Sequence, residues 1–112
     1  MMDTENKQQM RIILYILLSK IPQGRLATYG QLAKMAGYPG LARWVGRVLS
    51  QLPDDTELPW HRVVAASGRL SLPQNTRGGD EQRQRLRLEG IFIEQDRVKL
   101  ANYQWQPDAA RE

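Results

Sequence analysis

Arg25-Leu26-Ala27-Thr28-Tyr29-Gly30-Gln31-Leu32-Ala33 leads through the turn Gly37-Tyr38-Pro39-Gly40 into Leu41-Ala42-Arg43-Trp44-Val45-Gly46-Arg47. Residues 25–28 read as a short extended piece. Tyr29, Leu32, Ala33 and Ala36 then recur at helical spacing up to a stop at Gly37. A further helix is predicted over about 40–51, with Leu41, Val45, Val48 and Leu49 facing inward and Arg43 and Arg47, four residues apart, sharing one outward edge. Two short helices about a tight glycine turn form a helix-turn-helix, whose second helix is the one that normally enters a groove. Helical hairpins with no DNA role share this pattern, so DNA binding and plain packing both stand on these residues alone.

Before this pair, Met10, Ile13, Leu14, Leu17 and Leu18 predict a helix over about 4–20, with Asp3 or Thr4 as its cap and Pro22 and Gly24 as its stop. After it comes a polar loop over 53–57. Residues 63–65 and 69–70 then read as a hairpin about Ser67-Gly68. Asp80 is positioned to cap a helix that reaches Glu89 and ends at Gly90. Residues 91–93 and 97–100 read as a second hairpin through Glu94-Gln95-Asp96. The expected fold is mostly α with small β hairpins, a winged helix-turn-helix DNA-binding domain, and the expected organisation is one domain over 1–112. The tail after Tyr103 is expected to be partly loose, with Trp105 docked back on the body.

The chain has 112 residues, enough for one modest core and too few for two independent ones. With 41% hydrophobic and 25% charged residues its composition is that of a folded globular chain. No apolar run approaches the roughly 18 residues that cross a bilayer, so no membrane partner and a cytoplasmic, nucleoid-associated location are expected. There is no cysteine, which excludes disulfides, thiolate metal sites and a cysteine nucleophile. The net charge of +4 says little by itself, but its distribution says more. No acidic residue lies between Glu5 and Asp54, while Lys7, Arg11, Lys20, Arg25, Lys34, Arg43 and Arg47 all do. Such a run gives either a solvated basic face or a surface on which nothing repels phosphate.

Pro59-Trp60-His61-Arg62-Val63 resembles the Pro-Cys-His-Arg-Val active-site motif of the O6-alkylguanine-DNA alkyltransferases with tryptophan in place of cysteine, the replacement shared by alkyltransferase-like proteins. The resemblance covers about 10–100. Residues 25–33 match the family's first DNA-binding helix, Ala42-Arg43-Trp44-Val45-Gly46 its recognition helix, and Ser67-Gly68 and Leu88-Glu89-Gly90 fall at the family's separations.

In the transferases a cysteine thiolate accepts the alkyl group, a histidine activates it through water, and a glutamate orients the histidine. His61 and Glu89 match the two supporting positions, and Trp60 stands in the nucleophile's place. Indole is a poor nucleophile and its nitrogen only donates, so the resemblance implies recognition of O6-alkylguanine in double-stranded DNA without transfer, with no catalytic residue, cofactor or metal. A base in a duplex must be extruded to reach a closed pocket. The implied lesion pocket comprises Tyr29, Trp60, His61, Arg62, Val63, Ser71 and Glu89, with Ser71 to Gln74 as its mobile wall. The implied DNA contacts are Tyr29, Ala42, Arg43, Gly46 and Arg47. Arg43 fills the space the base vacates, Tyr29 rotates the phosphate, and Ala42 and Gly46 are small enough for a close approach to the minor groove. The resemblance also implies a monomer that hands the lesion to a UvrA-type damage sensor of nucleotide excision repair.

Three alternatives remain open on the residues themselves. Trp60 and Tyr29 also fit as core aromatics, and Arg43 as an ordinary phosphate contact. The whole chain also fits a winged helix-turn-helix transcription regulator, although no dimerisation element or ligand domain is present. His61 and Glu89 also suit an acid and base in a glycosylase. The pattern departs from the transferases at Leu52, where they carry an asparagine, and at Leu72, Pro73 and Gln74.

Overall fold

A computed structural model describes residues 4–107. Five helices and a two-stranded sheet follow in the order α1 (Thr4–Ser19), β1 (Ala27–Thr28), α2 (Tyr29–Met35), α3 (Ala42–Ser50), a 3-10 turn (Trp60–Arg62), β2 (Val63–Val64), α4 (Arg77–Leu88) and α5 (Leu100–Tyr103). The mostly helical reading and the helix-turn-helix hold. Asp3, one of the two caps proposed for α1, lies outside the described residues, as does the tail over 108–112.

Met10, Leu14 and Leu18 of α1 are fully buried at intervals of four, one stripe of a 3.6-residue period. Ile13 falls off that stripe and is 38% exposed. Thr28 starts α2 with a capping box. Its hydroxyl accepts from the Gln31 amide at 2.9 Å, and the Gln31 side chain accepts from the Thr28 amide at 3.4 Å. Gly37, at φ +93°, ends α2: its N–H reaches Lys34 O and that of Tyr38 reaches Ala33 O, satisfying the last carbonyls as only a left-handed residue allows. Gly40, also left-handed at φ +91°, delays α3 to Ala42, two residues later than its spacing suggests. Val45 and Val48 of α3 are buried with Leu14, Leu18, Leu32 and Ala33 in one cluster. Leu26, Val64, Leu70, Leu86, Ile91 and Val98 form a second.

The predicted hairpins hold at their turns, where Ala65 N–H donates to Arg69 O at 3.0 Å and Glu94 and Arg97 form an antiparallel bridge, but their outer pairing is corrected. Val63 and Val64 pair in parallel with Ala27 and Thr28, and the second arms of the two expected hairpins join each other through an antiparallel bridge between Arg69 and Arg97. Val98 N–H donates to Gly68 O and Leu70 N–H to Asp96 O, each at 2.9 Å. Arms of two or three residues are not stable alone, and the two short turns support each other through this long-range pairing. Helix α4 starts four residues earlier than predicted, because Thr76 rather than Asp80 caps it, accepting from Gly79 N–H at 3.1 Å. Asp80 sits in the first turn and accepts from Asn75 N–H at 2.9 Å. Residues 100–103 form a helical turn instead of the end of a strand. It is held because Leu26 N–H donates to Tyr103 O and Trp105 N–H to Leu26 O, which leaves Trp105 buried as expected.

Candidate nucleic-acid interface

The parallel pairing of β2 with β1 fixes the chain just before it, so the turn Trp60–Arg62 is presented from a buried strand. The Gln82 amide, itself buried, donates to the carbonyls of His61 at 3.2 Å and Val63 at 3.1 Å, bracing both sides of Arg62. Glu89 sits at the C-cap of α4, where the helix dipole disfavours an anion. Donors offset that penalty. Arg62 donates through Nε at 3.0 and 3.1 Å and through Nη2 at 2.9 Å, and the Gly24 amide donates at 2.8 Å. His61 Nε2 lies 2.6 Å from Glu89 Oε2. Arg62 is fixed from behind by Nη1 donating to Ile21 O at 2.8 Å.

Burial alone would raise the Glu89 carboxyl, but Arg62, the Gly24 amide and His61 together hold it at about 2. Burial also dominates at His61, lowering it below 6.5 against the upward pull of Glu89. His61 is therefore neutral at neutral pH and donates from Nε2, which leaves Nδ1 as an acceptor. That atom is buried and accepts from no described residue.

Trp60 is half-buried. Its ring stands edge-on to His61, with centroids 6.2 Å apart and planes at 87°, and the Arg85 guanidinium lies 5.8 Å from the ring centroid. Arg85 is held there by Glu81, one turn earlier, at 2.7 Å. Trp60 lines a cleft of about 350 Å³ with Leu49, Leu52, Leu72, Arg77 and Glu81 among its walls. An adjoining cleft of about 370 Å³ is lined by Tyr29, Ala42, Arg43, Gly46, Ser71 and Leu72. The predicted residues thus divide among five places. Trp60 is in the first cleft. Tyr29, Ala42, Arg43, Gly46 and Ser71 are in the second. His61, Arg62 and Glu89 form a hydrogen-bonded set that meets Trp60 through the His61 ring, while Val63 is a core residue lining neither cleft. Arg47 lines a third cleft on the other side of Arg43. A Cβ added at Gly46 would lie 3.7 Å from the Tyr29 ring, an ordinary van der Waals contact, so the ring packs beside α3 at this position.

Leu72 lines both of the first two clefts, and hydrogen bonds tie its segment to α4 and to Asp96. The buried Arg83 donates from Nη1 to Leu72 O at 2.9 Å and to Gly79 O at 2.8 Å, and from Nη2 to Asp96 at 3.0 Å. Gln74 donates to the same Asp96 carboxylate at 2.6 Å. Gly79 lets the wall touch α4, since a Cβ there would fall 1.9 Å from Pro73 O. Arg83 and Arg85 escaped sequence reasoning: on a helix reading Glu81-Gln82-Arg83-Gln84-Arg85, nothing marks one arginine as buried and another as lying against an indole. Among the described residues no group of His, Cys, Asp or Glu is arranged to hold a metal ion, and no helix is long and apolar enough to cross a membrane.

The family model for the DNA-binding domain of 6-O-methylguanine DNA methyltransferase matches residues 9–91. A DNA base-flipping protein of Vibrio parahaemolyticus is 43% identical over 100 residues, which cover 88% of this chain and 98% of that one. Alkyltransferase-like protein 1 of Schizosaccharomyces pombe is 35% identical over 99 residues, covering 84% and 92%. The S. pombe Atl1 structure, solved in complex with damaged DNA containing O6-carboxymethylguanine, superposes with a TM-score of 0.83 at 32% identity over 95% of this chain and 100% of that one. The chain belongs to the alkyltransferase-like family, built on the DNA-binding domain of 6-O-methylguanine DNA methyltransferase.

Proposed function

We propose that this protein recognises O6-alkylguanine in duplex DNA by extruding the damaged nucleotide, and leaves the alkyl group in place. The observation that carries this reading is Trp60, at the position where the resemblance puts a nucleophilic cysteine, lining a cleft beside the one that holds Tyr29 and Arg43. Related proteins named for DNA base flipping, and one solved on alkylated DNA, support it. Ala42 and Gly46 let α3 approach the minor groove, Arg43 occupies the gap left in the stack, and Tyr29 turns the phosphate of the extruded nucleotide. The indole offers a broad apolar face to the purine and its alkyl group. His61, Arg62 and Glu89 hold that indole in place.

Transfer chemistry is absent from this reading because the chain has no thiol, and neutral His61 has no described protein nucleophile within hydrogen-bond reach of Nδ1 to activate. Removal of the lesion then falls to a partner, which the family resemblance identifies as the UvrA-type damage sensor. We propose that the protein works as a single-domain, cytoplasmic, nucleoid-associated monomer.

A duplex with one O6-methylguanine is expected to bind more tightly than the same duplex with guanine, while intact mass shows neither protein methylation nor altered DNA. Equal affinities would sink lesion recognition, and a methyl group on the protein would sink the non-enzymatic assignment. Arg43→Ala is expected to weaken both complexes about tenfold, ~1.4 kcal/mol, since Arg43 both stabilises the extruded state and adds charge at the groove. Affinities equal to those of the parent protein would show that another side chain fills the stack.

A further inference from the structure

Beyond the two clefts of the lesion site lies a third, of about 550 Å³, on the other side of Arg43. Its walls come from the first half of α1 and the outer edge of α3. Lys7, Arg11, Arg43 and Arg47 all line it, with Trp44 among the apolar residues between them and, among the residues whose side chains are described, no carboxylate in the lining. None of the four cations makes an ion pair with a described side chain, those of residues 1–5 lying outside that description, whereas Arg62, Arg77, Arg83 and Arg85 each face a carboxylate. Four like charges lining one concavity raise a positive potential there, which an anionic occupant offsets.

We infer that this cleft grips the phosphodiester backbone of the duplex flanking the lesion, so that α1, outside the helix-turn-helix, is part of the DNA-binding surface. Arg43 lines both this cleft and the one containing Tyr29, Ala42 and Gly46, which makes the basic concavity continuous with the face assigned to the minor groove. A strand presents one charge roughly every 3.4 Å of helix axis, a row that clustered cations meet together and a single anion does not. Lys and Arg holding phosphates read no sequence and no lesion, so the cleft supplies affinity and register and leaves discrimination to Trp60. The inference rests on the DNA-binding reading, but not on lesion recognition.

The test is the salt dependence of binding to an unmodified and an O6-methylguanine duplex for the full chain carrying Lys7→Gln and Arg11→Gln together. The slope of log affinity against log salt is expected to fall by about 2, with equal fold losses on both duplexes and an unchanged lesion preference. Lys7→Gln alone, on an exposed side chain whose loss leaves packing intact, is expected to lower the slope by about 1. Lys20→Gln, which removes the same charge at the other end of α1, is expected to leave the slope as it was. A slope unchanged in the double variant, or lowered as much by Lys20→Gln as by Lys7→Gln, would overturn the inference. If the parent protein showed no lesion preference while the double variant still flattened the salt dependence, lesion reading would fail and the phosphate cleft would stand.

Discussion

Glu89→Ala is expected to destabilise the fold by about 3–5 kcal/mol, the usual cost of removing one partner from a buried ion pair. The Glu89 side chain is 10% exposed and accepts from four donor groups on three residues. Removing it strands the Arg62 guanidinium, of which only Nη1 keeps a partner, in Ile21 O. It also leaves His61 with both ring nitrogens unsatisfied. The pH dependence gives an independent check. A carboxyl held at about 2 instead of its ordinary 4.5 contributes about 3 kcal/mol, present in full above 4.5 and lost as pH falls toward 2. His61 acts in the same sense. Its folded value lies below 6.5, so the unfolded chain binds the proton first and stability declines as pH drops through that value. The parent protein should therefore lose stability from about pH 6.5 downward, most steeply below 4.5, while Glu89→Ala starts lower and shows a shallower acid limb. Chemical denaturation at pH 7, 5 and 3 measures both. A loss under 1 kcal/mol, or parallel acid limbs, would mean that the carboxylate's favourable contacts merely cancel its desolvation.

The helices were legible because their information is local. Met10, Leu14 and Leu18 repeat every four residues, Thr28 and Gln31 form a capping box three apart, and Gly37 marks a stop that needs a positive φ. The small sheet was not, because two-residue strands carry almost no pattern of their own. Val63 and Val64 pair with a segment 36 residues earlier, a choice fixed by packing between the two clusters. The cap of α4 was misplaced because Thr76 and Asp80 are both competent caps, and local chemistry does not rank them. At the site, the resemblance supplied Trp60, His61 and Glu89 as a set. It did not show that Arg62 serves as the carboxylate's main donor rather than a pocket wall, or that Val63 belongs to the core. Arg83 and Arg85 became visible only once α4 was placed, since one lies over the wall at Leu72 and the other against the Trp60 ring.

Trp60→Ala separates reading of the lesion from general affinity for DNA, because those two roles respond differently to truncation. Removing an aromatic face against a stacked base costs roughly 1–3 kcal/mol, up to about a hundredfold in affinity. If the flipped purine lies against Trp60, that loss falls on the O6-methylguanine duplex and the unmodified duplex is held nearly as before, since the basic residues of α1 and α3 are untouched. The ring is half-buried and its neighbours His61 and Arg62 are anchored independently by Gln82, Glu89 and Ile21, so the fold should survive with a modest drop in melting temperature. Trp60→Phe keeps an aromatic face and should recover most of the preference, whereas an aliphatic replacement such as Trp60→Leu should not. Were Trp60 a core residue instead, alanine would lower the melting temperature sharply and weaken both complexes together. A well-folded Trp60→Ala protein that kept its full lesion preference would place the extruded base elsewhere, against Tyr29 and Ser71 in the adjoining cleft.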